Sequence, residues 1–155
     1  MLLHQIAFRR GTLLAALLLI FLLSEPLQAG CITKDGVLLK SRLGKKAPTS
    51  WQVRRYTPFK RLGEPYNGWV HVRDFEGEKH WVQQKFFTEK YHCLIVRKDS
   101  TPIMVAPKKR SNQKFKQLAE KYETFKFLKV KKGWVQIKDV HGDTGWVLLS
   151  DVWLD

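Results

Sequence analysis

No segment of this 155-residue chain sustains helical periodicity, no glycine-rich loop is laid out to cradle a phosphate, and no apolar run reaches bilayer-spanning length. The first absence argues against a helical bundle, the second against a nucleotide-phosphate site, the third against a transmembrane helix. His71, His80, His92 and His141 lack metal-ligand spacing such as His-x-x-x-His, so each reads as a solvated strand or turn residue and no metal is expected. Cysteine is limited to Cys31 and Cys93, both in expected buried strands, which leaves no Cys nucleophile beside a His base. Acidic pairs such as Asp35/Glu64 and Asp139/Asp143 fall in turns, where Asp is ordinary turn chemistry. No catalytic residue and no cofactor are expected, and the sequence reads as a protein that is not an enzyme.

Acidic residues are scarce as well. Fourteen Asp+Glu face 28 Lys+Arg, a formal net charge of +14. Setting aside residues 1–29, which carry Arg9, Arg10 and Glu25, leaves 26 cations against 13 anions. Such an excess either keeps a small secreted protein soluble or draws it to a polyanion: nucleic acid, anionic headgroups or an acidic wall polymer.

The N-terminus bears on that choice. Arg9-Arg10 precede an uninterrupted apolar run from Thr12 to Leu23, followed by Ser24-Glu25-Pro26-Leu27-Gln28-Ala29. A positive region, an apolar core and a small-residue end make the order of a secretory signal peptide, with cleavage expected near Ala29. Export to the periplasm or beyond makes nucleic acid an unlikely partner. Leu27-Gln28-Ala29-Gly30-Cys31 partly resembles a lipobox, which would lipidate Cys31, although Gln28 and Glu25 depart from that pattern. A membrane is otherwise expected as a partner only through an uncleaved signal. In an oxidising compartment the even pair Cys31 and Cys93 reads as a disulfide between two first strands, with two buried thiols as the alternative.

The central feature is a repeat. Gly68-Trp69-Val70-His71-Val72-Arg73-Asp74 returns 65 positions later as Gly133-Trp134-Val135-Gln136-Ile137-Lys138-Asp139, and Trp81-Val82 returns as Trp146-Val147 at the same offset. Each copy reads as a hairpin, with turns around Glu76-Gly77 and His141-Gly142-Asp143. Arg55-Tyr56-Thr57-Pro58-Phe59-Lys60 returns as Lys121-Tyr122-Glu123-Thr124-Phe125-Lys126 at an offset of 66. About five short strands per copy, parted by turns, suit a small antiparallel barrel.

Period-two alternation divides each Trp strand into two faces. Val70, Val72, Val135 and Ile137 belong to the core. Trp69 and Trp134 lie opposite them, among His71, Arg73, Gln136 and Lys138, and are expected to be partly exposed. With Trp81, Trp146 and Tyr66 they form the candidate aromatic shelf for a ligand; the alternative is boundary packing. Basic loops at Lys45-Lys46 and Lys108-Lys109-Arg110, with Arg54-Arg55 and Lys131-Lys132, are candidates for salt-sensitive attraction to an anionic polymer or headgroup.

Gly133-Trp134, Gly145-Trp146-Val147, Gly68-Trp69 and Leu39-Lys40-Ser41 together resemble the bacterial Src-homology-3 (SH3) pattern of exported cell-envelope proteins. Arg42-Leu43-Gly44 departs from that pattern, and His80 stands where its second glycine belongs. The resemblance implies an all-β chain of two small antiparallel SH3-like barrels in tandem, residues 30–90 and 91–155, after a signal peptide at 1–29. It further implies an exported binding or adaptor protein that recognises peptidoglycan or an envelope protein. The alternatives are a protein–protein structural module without wall affinity and an electrostatic binder of an anionic polymer.

Overall fold

The computed structural model describes residues 28–110, 112–113 and 118–154. Most of the expected signal peptide therefore lies outside the described residues. Within them the protein is all-β, with antiparallel pairing throughout and two single-turn 3-10 segments, Gln84–Phe86 and Leu149–Asp151.

Each half of the chain builds its own sheet. Strands β1 (Ala29–Ile32), β2 (Val37–Lys40), β3 (Thr49–Val53), β4 (Pro58–Arg61), β5 (Trp69–Arg73), β6 (Lys79–Gln83) and β7 (Phe87–Thr88) align in the order β3-β2-β6-β5-β4-β1-β7. The second half contributes β8 (Cys93–Val96), β9 (Ser100–Thr101), β10 (Ala119–Glu120), β11 (Thr124–Lys131), β12 (Trp134–Lys138), β13 (Thr144–Leu148) and β14 (Val152–Leu154). Five of these run in the order β13-β12-β11-β8-β14, while β9 and β10 pair separately. Two-residue strands raise the number above the five per copy expected from pattern.

The repeated hairpins fold as alternation requires. In β5–β6, Val70 faces Val82 and His71 faces Trp81; in β12–β13, Val135 faces Val147 and Gln136 faces Trp146. Val70 and Val72 join Ile32, Leu39, Phe59 and Val82 in one apolar cluster. Val135 and Ile137 join Leu94, Val96, Phe125 and Val147 in the other. Side chains removed this fully from water contribute on the order of 2 kcal/mol each.

Local chemistry fixes the turns. Asn67-Gly68 and Lys132-Gly133 hold φ of 48°/77° and 50°/79°, the two left-handed residues of a tight hairpin turn that matches strand twist. At the far end Asp74 Oδ1 accepts the N–H groups of Glu76 and Glu78, and Asp139 Oδ1 those of His141 and Asp143. A carboxylate that gathers two backbone donors pins each reversal.

Cys31 and Cys93 are disulfide-bonded, joining β1 to β8 across a separation of 62 residues. That pairing settles the alternative of two buried thiols, and it corrects the lipobox reading, because lipidation needs the sulfur that the bond consumes. Tyr56 and Tyr91 pack beside the bridge. Thr124 also donates from Oγ1 to the Arg55 carbonyl at 2.7 Å, a second tie between the halves.

Candidate functional site

The aromatic shelf does not form as expected. Trp69 and Trp134 are each 7% exposed and Trp146 8%, while Trp81 is half-buried and Tyr66 stands in solvent. Alternation places the indoles correctly on the face opposite the valines. What it misses is that this face is covered. In the second half Met104 exchanges backbone hydrogen bonds with Trp146 at 2.8 and 2.9 Å and packs with Leu148 against Trp134 and Trp146. Lys129 also lays its ammonium 5.9 Å from the Trp146 ring centre. In the first half the His71 ring stacks on Trp81, with centroids 4.5 Å apart and planes 11° from parallel. Methionine and leucine side chains, an ammonium and an imidazole thus lie on indoles that alternation alone leaves facing water.

An open cleft that brings aromatic and polar side chains together lies elsewhere. Ser50 and Trp51 on β3, Asp74, Glu76 and Glu78 at the β5–β6 reversal, His80 on β6, and Tyr122 from the second half line a cavity of about 350 Å³. The Trp51 and Tyr122 rings meet edge-on with centroids 6.4 Å apart, and Tyr122 donates its hydroxyl to Glu76 Oε1 at 3.0 Å. Phe75 extends the aromatic wall toward Trp153.

A chain of polar groups, buried at His80 and Asp74, forms its floor. His80 Nδ1 lies 2.8 Å from Ser50 Oγ, and His80 Nε2 lies 3.1 Å from Asp74 Oδ2. His80 and Asp74 are both buried, whereas Ser50 is exposed. An ionised carboxylate only accepts, so His80 Nε2–H donates to Asp74, and in the imidazole form Nδ1 accepts a hydrogen bond from the Ser50 hydroxyl. The order is hydroxyl, imidazole, orienting carboxylate. Glu76 and Glu78 share the cleft and make its rim acidic. The arrangement presents Ser50 to the cleft as an oriented hydrogen-bonding group.

His80 thus corrects the expectation of a solvated strand histidine. The signal was in the sequence, as His80 replacing the glycine of the repeat. In the second half that place is Gly145, where an added Cβ would sit 2.3 Å from Ile103 Cγ2. One copy fills the space with isoleucine, the other with a hydrogen-bonded imidazole.

Tyr122 holds φ 71° and its counterpart Tyr56 φ 68°, and both N–H groups bond to carbonyls of the first strand of their copy, Val96 and Ile32. The unusual conformation is therefore a property of the repeat. Its outcome differs: Tyr56 turns into the disulfide cluster, Tyr122 onto Trp51. Of the basic residues, Lys45, Lys46, Lys108, Lys109 and Arg110 are all exposed, as a salt-sensitive contact requires.

No protein-family model and no curated protein matches the chain. Among solved structures it is similar to NlpC2 of Trichomonas vaginalis (17% identity, TM-score 0.35, 81% of this chain and 47% of that one). NlpC1 of the same organism gives 16%, 0.34, 81% and 45%, and an NlpC/P60 family protein from Bacillus cereus 9%, 0.35, 82% and 56%. The chain spans about half the length of these proteins. With NlpC/P60 proteins as its structural neighbours, the expectation that the chain is not an enzyme does not stand and is withdrawn. Among the described residues no helix is long and apolar enough to cross a membrane.

Proposed function

We propose that this is an exported binding protein of the cell envelope, built from two SH3-type units at residues 30–90 and 91–155. Its ligand, peptidoglycan or an envelope protein, is seated in the Trp51–Tyr122 cleft. The cleft carries the reading: flat aromatic walls supply apolar contact, and a preset Ser50–His80–Asp74 chain supplies directional hydrogen bonds. Its acidic rim, in a chain of net charge +14, favours a ligand that presents a cationic group, such as a free amine of a wall peptide. The signal-peptide pattern and the oxidised Cys31–Cys93 pair both support export.

Retention on purified cell-wall sacculi tests this. Trp51→Ala and Tyr122→Ala should each release the protein, since stacking residues at a site centre commonly carry about 2 kcal/mol. Tyr66→Ala, far from the cleft, should not. Equal retention of all three variants would refute the cleft. Retention of none, wild type included, with recovery of one envelope protein, would move the ligand class to protein.

A further inference from the structure

The two hairpins share a backbone, and only one of them has a tip built for a charged surface. Residues 124–138 contain Lys126, Lys129, Lys131, Lys132 and Lys138 and no acidic residue. β11 runs for eight residues where β4 runs for four, and a bulge at Leu128 shifts the register against β12. Along this extension Leu128 is 39% exposed and Val130 47%, interleaved with exposed Lys129, Lys131 and Lys132. Leu149, also exposed, donates its N–H to the Gly133 carbonyl and so stands beside the tip. Among the described residues no carboxylate pairs with these three lysines, whereas Arg61 at the base of the first hairpin is held by Glu64 at 3.2 Å and Glu89 at 3.0 Å.

The turn residue makes the same point independently. Asn67 occupies φ 48° in the first hairpin, a conformation that asparagine tolerates. Lys132 occupies φ 50° in the second, where its side chain gains nothing from the backbone. A local preference has been given up to place a charge at the apex.

We infer that the β11–β12 tip is a contact surface for an anionic lipid bilayer, with Lys129, Lys131 and Lys132 among the headgroups and Leu128, Val130 and Leu149 in the interface. The apolar side chains decide for a bilayer over a soluble polyanion, because a hydrophilic polymer would leave them wet, while the headgroup–acyl boundary takes them in. Lys108, Lys109 and Arg110 extend the positive surface, since the segment leading to them starts at Met104, bridged to the Trp146 over which Lys129 lies. The inference does not depend on the Trp51–Tyr122 cleft.

Co-sedimentation of the full-length expressed product with vesicles of phosphatidylcholine alone, or mixed with phosphatidylglycerol, tests it. Wild type should partition onto the mixed vesicles in a salt-sensitive way and far less onto the neutral ones. Reversing the three lysines (K129E/K131E/K132E) should lower partitioning by about a hundred-fold or more, at roughly five-fold per charge lost. Leu128→Ser/Val130→Ser should lower it by a smaller factor and leave the salt dependence intact. Tyr66→Ser, at the tip of the first hairpin, should change nothing. Because residues 1–29 are common to every variant, the differences report the hairpin alone. Unchanged partitioning of the lysine variant would overturn the inference. So would an unaffected Leu128→Ser/Val130→Ser protein, particularly if dextran sulfate retained it as well as vesicles do, which would mark a polyanion site. Thermal midpoints of all variants, expected within a few degrees of wild type, separate loss of contact from loss of fold.

Discussion

Set side by side, the two copies of the Gly-Trp hairpin share their backbone devices and differ in what they attach to them. Both are entered through a residue pair with left-handed φ, Asn67-Gly68 or Lys132-Gly133, and both gather two N–H groups on one aspartate at the reversal. On that common frame the first copy inserts His80 between Ser50 and Asp74 and opens a cleft. The second keeps Gly145, seats Ile103 against it and spends its variation on lysines at the tip. Positions that build the turn are constrained in both copies, while the places one step away from it are where the copies diverged.

The strongest way to break this pairing is to cut the bond that holds the copies together. Closing a loop of 62 residues restricts the unfolded chain, worth about 4 kcal/mol in the chain-entropy account. Cys31→Ser/Cys93→Ser should lose roughly that much in urea unfolding, and a loss below about 1 kcal/mol would show that the contacts around Tyr56 and Tyr91 suffice without it. Next in size comes exchange of the diverged position. Gly145→His would bring a Cβ within 2.3 Å of Ile103 Cγ2 before the ring is placed, so a cost of at least about 3 kcal/mol is expected. If Gly145→His folds with near-native stability, the two copies are more interchangeable than their packing indicates.

How much of this the sequence shows depends on the range of the interaction. The repeat, the strand faces and the hairpin turns rest on neighbours a few residues apart, and Val70, Val72, Val135 and Ile137 are buried as alternation requires. The Cys31–Cys93 bond was legible as a pairing of two equivalent first strands but undecided, because geometry between copies carries no local signature. The indoles were misjudged for the same reason: Met104, which covers Trp146, comes from a segment some 40 positions earlier. Trp51 and Tyr122, which face each other in the cleft, lie in different copies, and no periodicity joins them. His80 alone left a local trace, as the residue that breaks its own repeat.

The matched aspartates give a finer comparison. Asp74→Ala and Asp139→Ala each remove a carboxylate that accepts two backbone N–H groups. Only Asp74 also holds His80, whose buried Nε2–H would then lack its acceptor. Asp139→Ala should cost about 1 kcal/mol and Asp74→Ala about 2–3 kcal/mol. Equal costs would mean that the His80 contact contributes nothing net, and the cleft floor would then be held by packing alone. His80→Gln/Asp74→Ala, measured beside the two single variants, isolates the coupling.

The smallest expected difference concerns the stacked pair. His71 lies on Trp81, while Gln136 takes the equivalent place opposite Trp146. Burial, and then the charge of Lys79, lower the His71 pKa below its ordinary 6.5. The unfolded chain therefore takes up this proton at a higher pH than the folded one. Stability from the neutral ring is fully present above the unfolded value and falls as pH drops below about 6.5, because the unfolded state binds more protons there. His71 is only partly buried, so solvent screening keeps the effect small. His71→Gln, which copies the second hairpin, should unfold with a shallower loss of stability between neutral pH and about pH 5.5 than wild type. Identical pH slopes for the two proteins would show that the stack discriminates nothing between the charged and neutral ring, and that histidine and glutamine are equivalent lids for the indole.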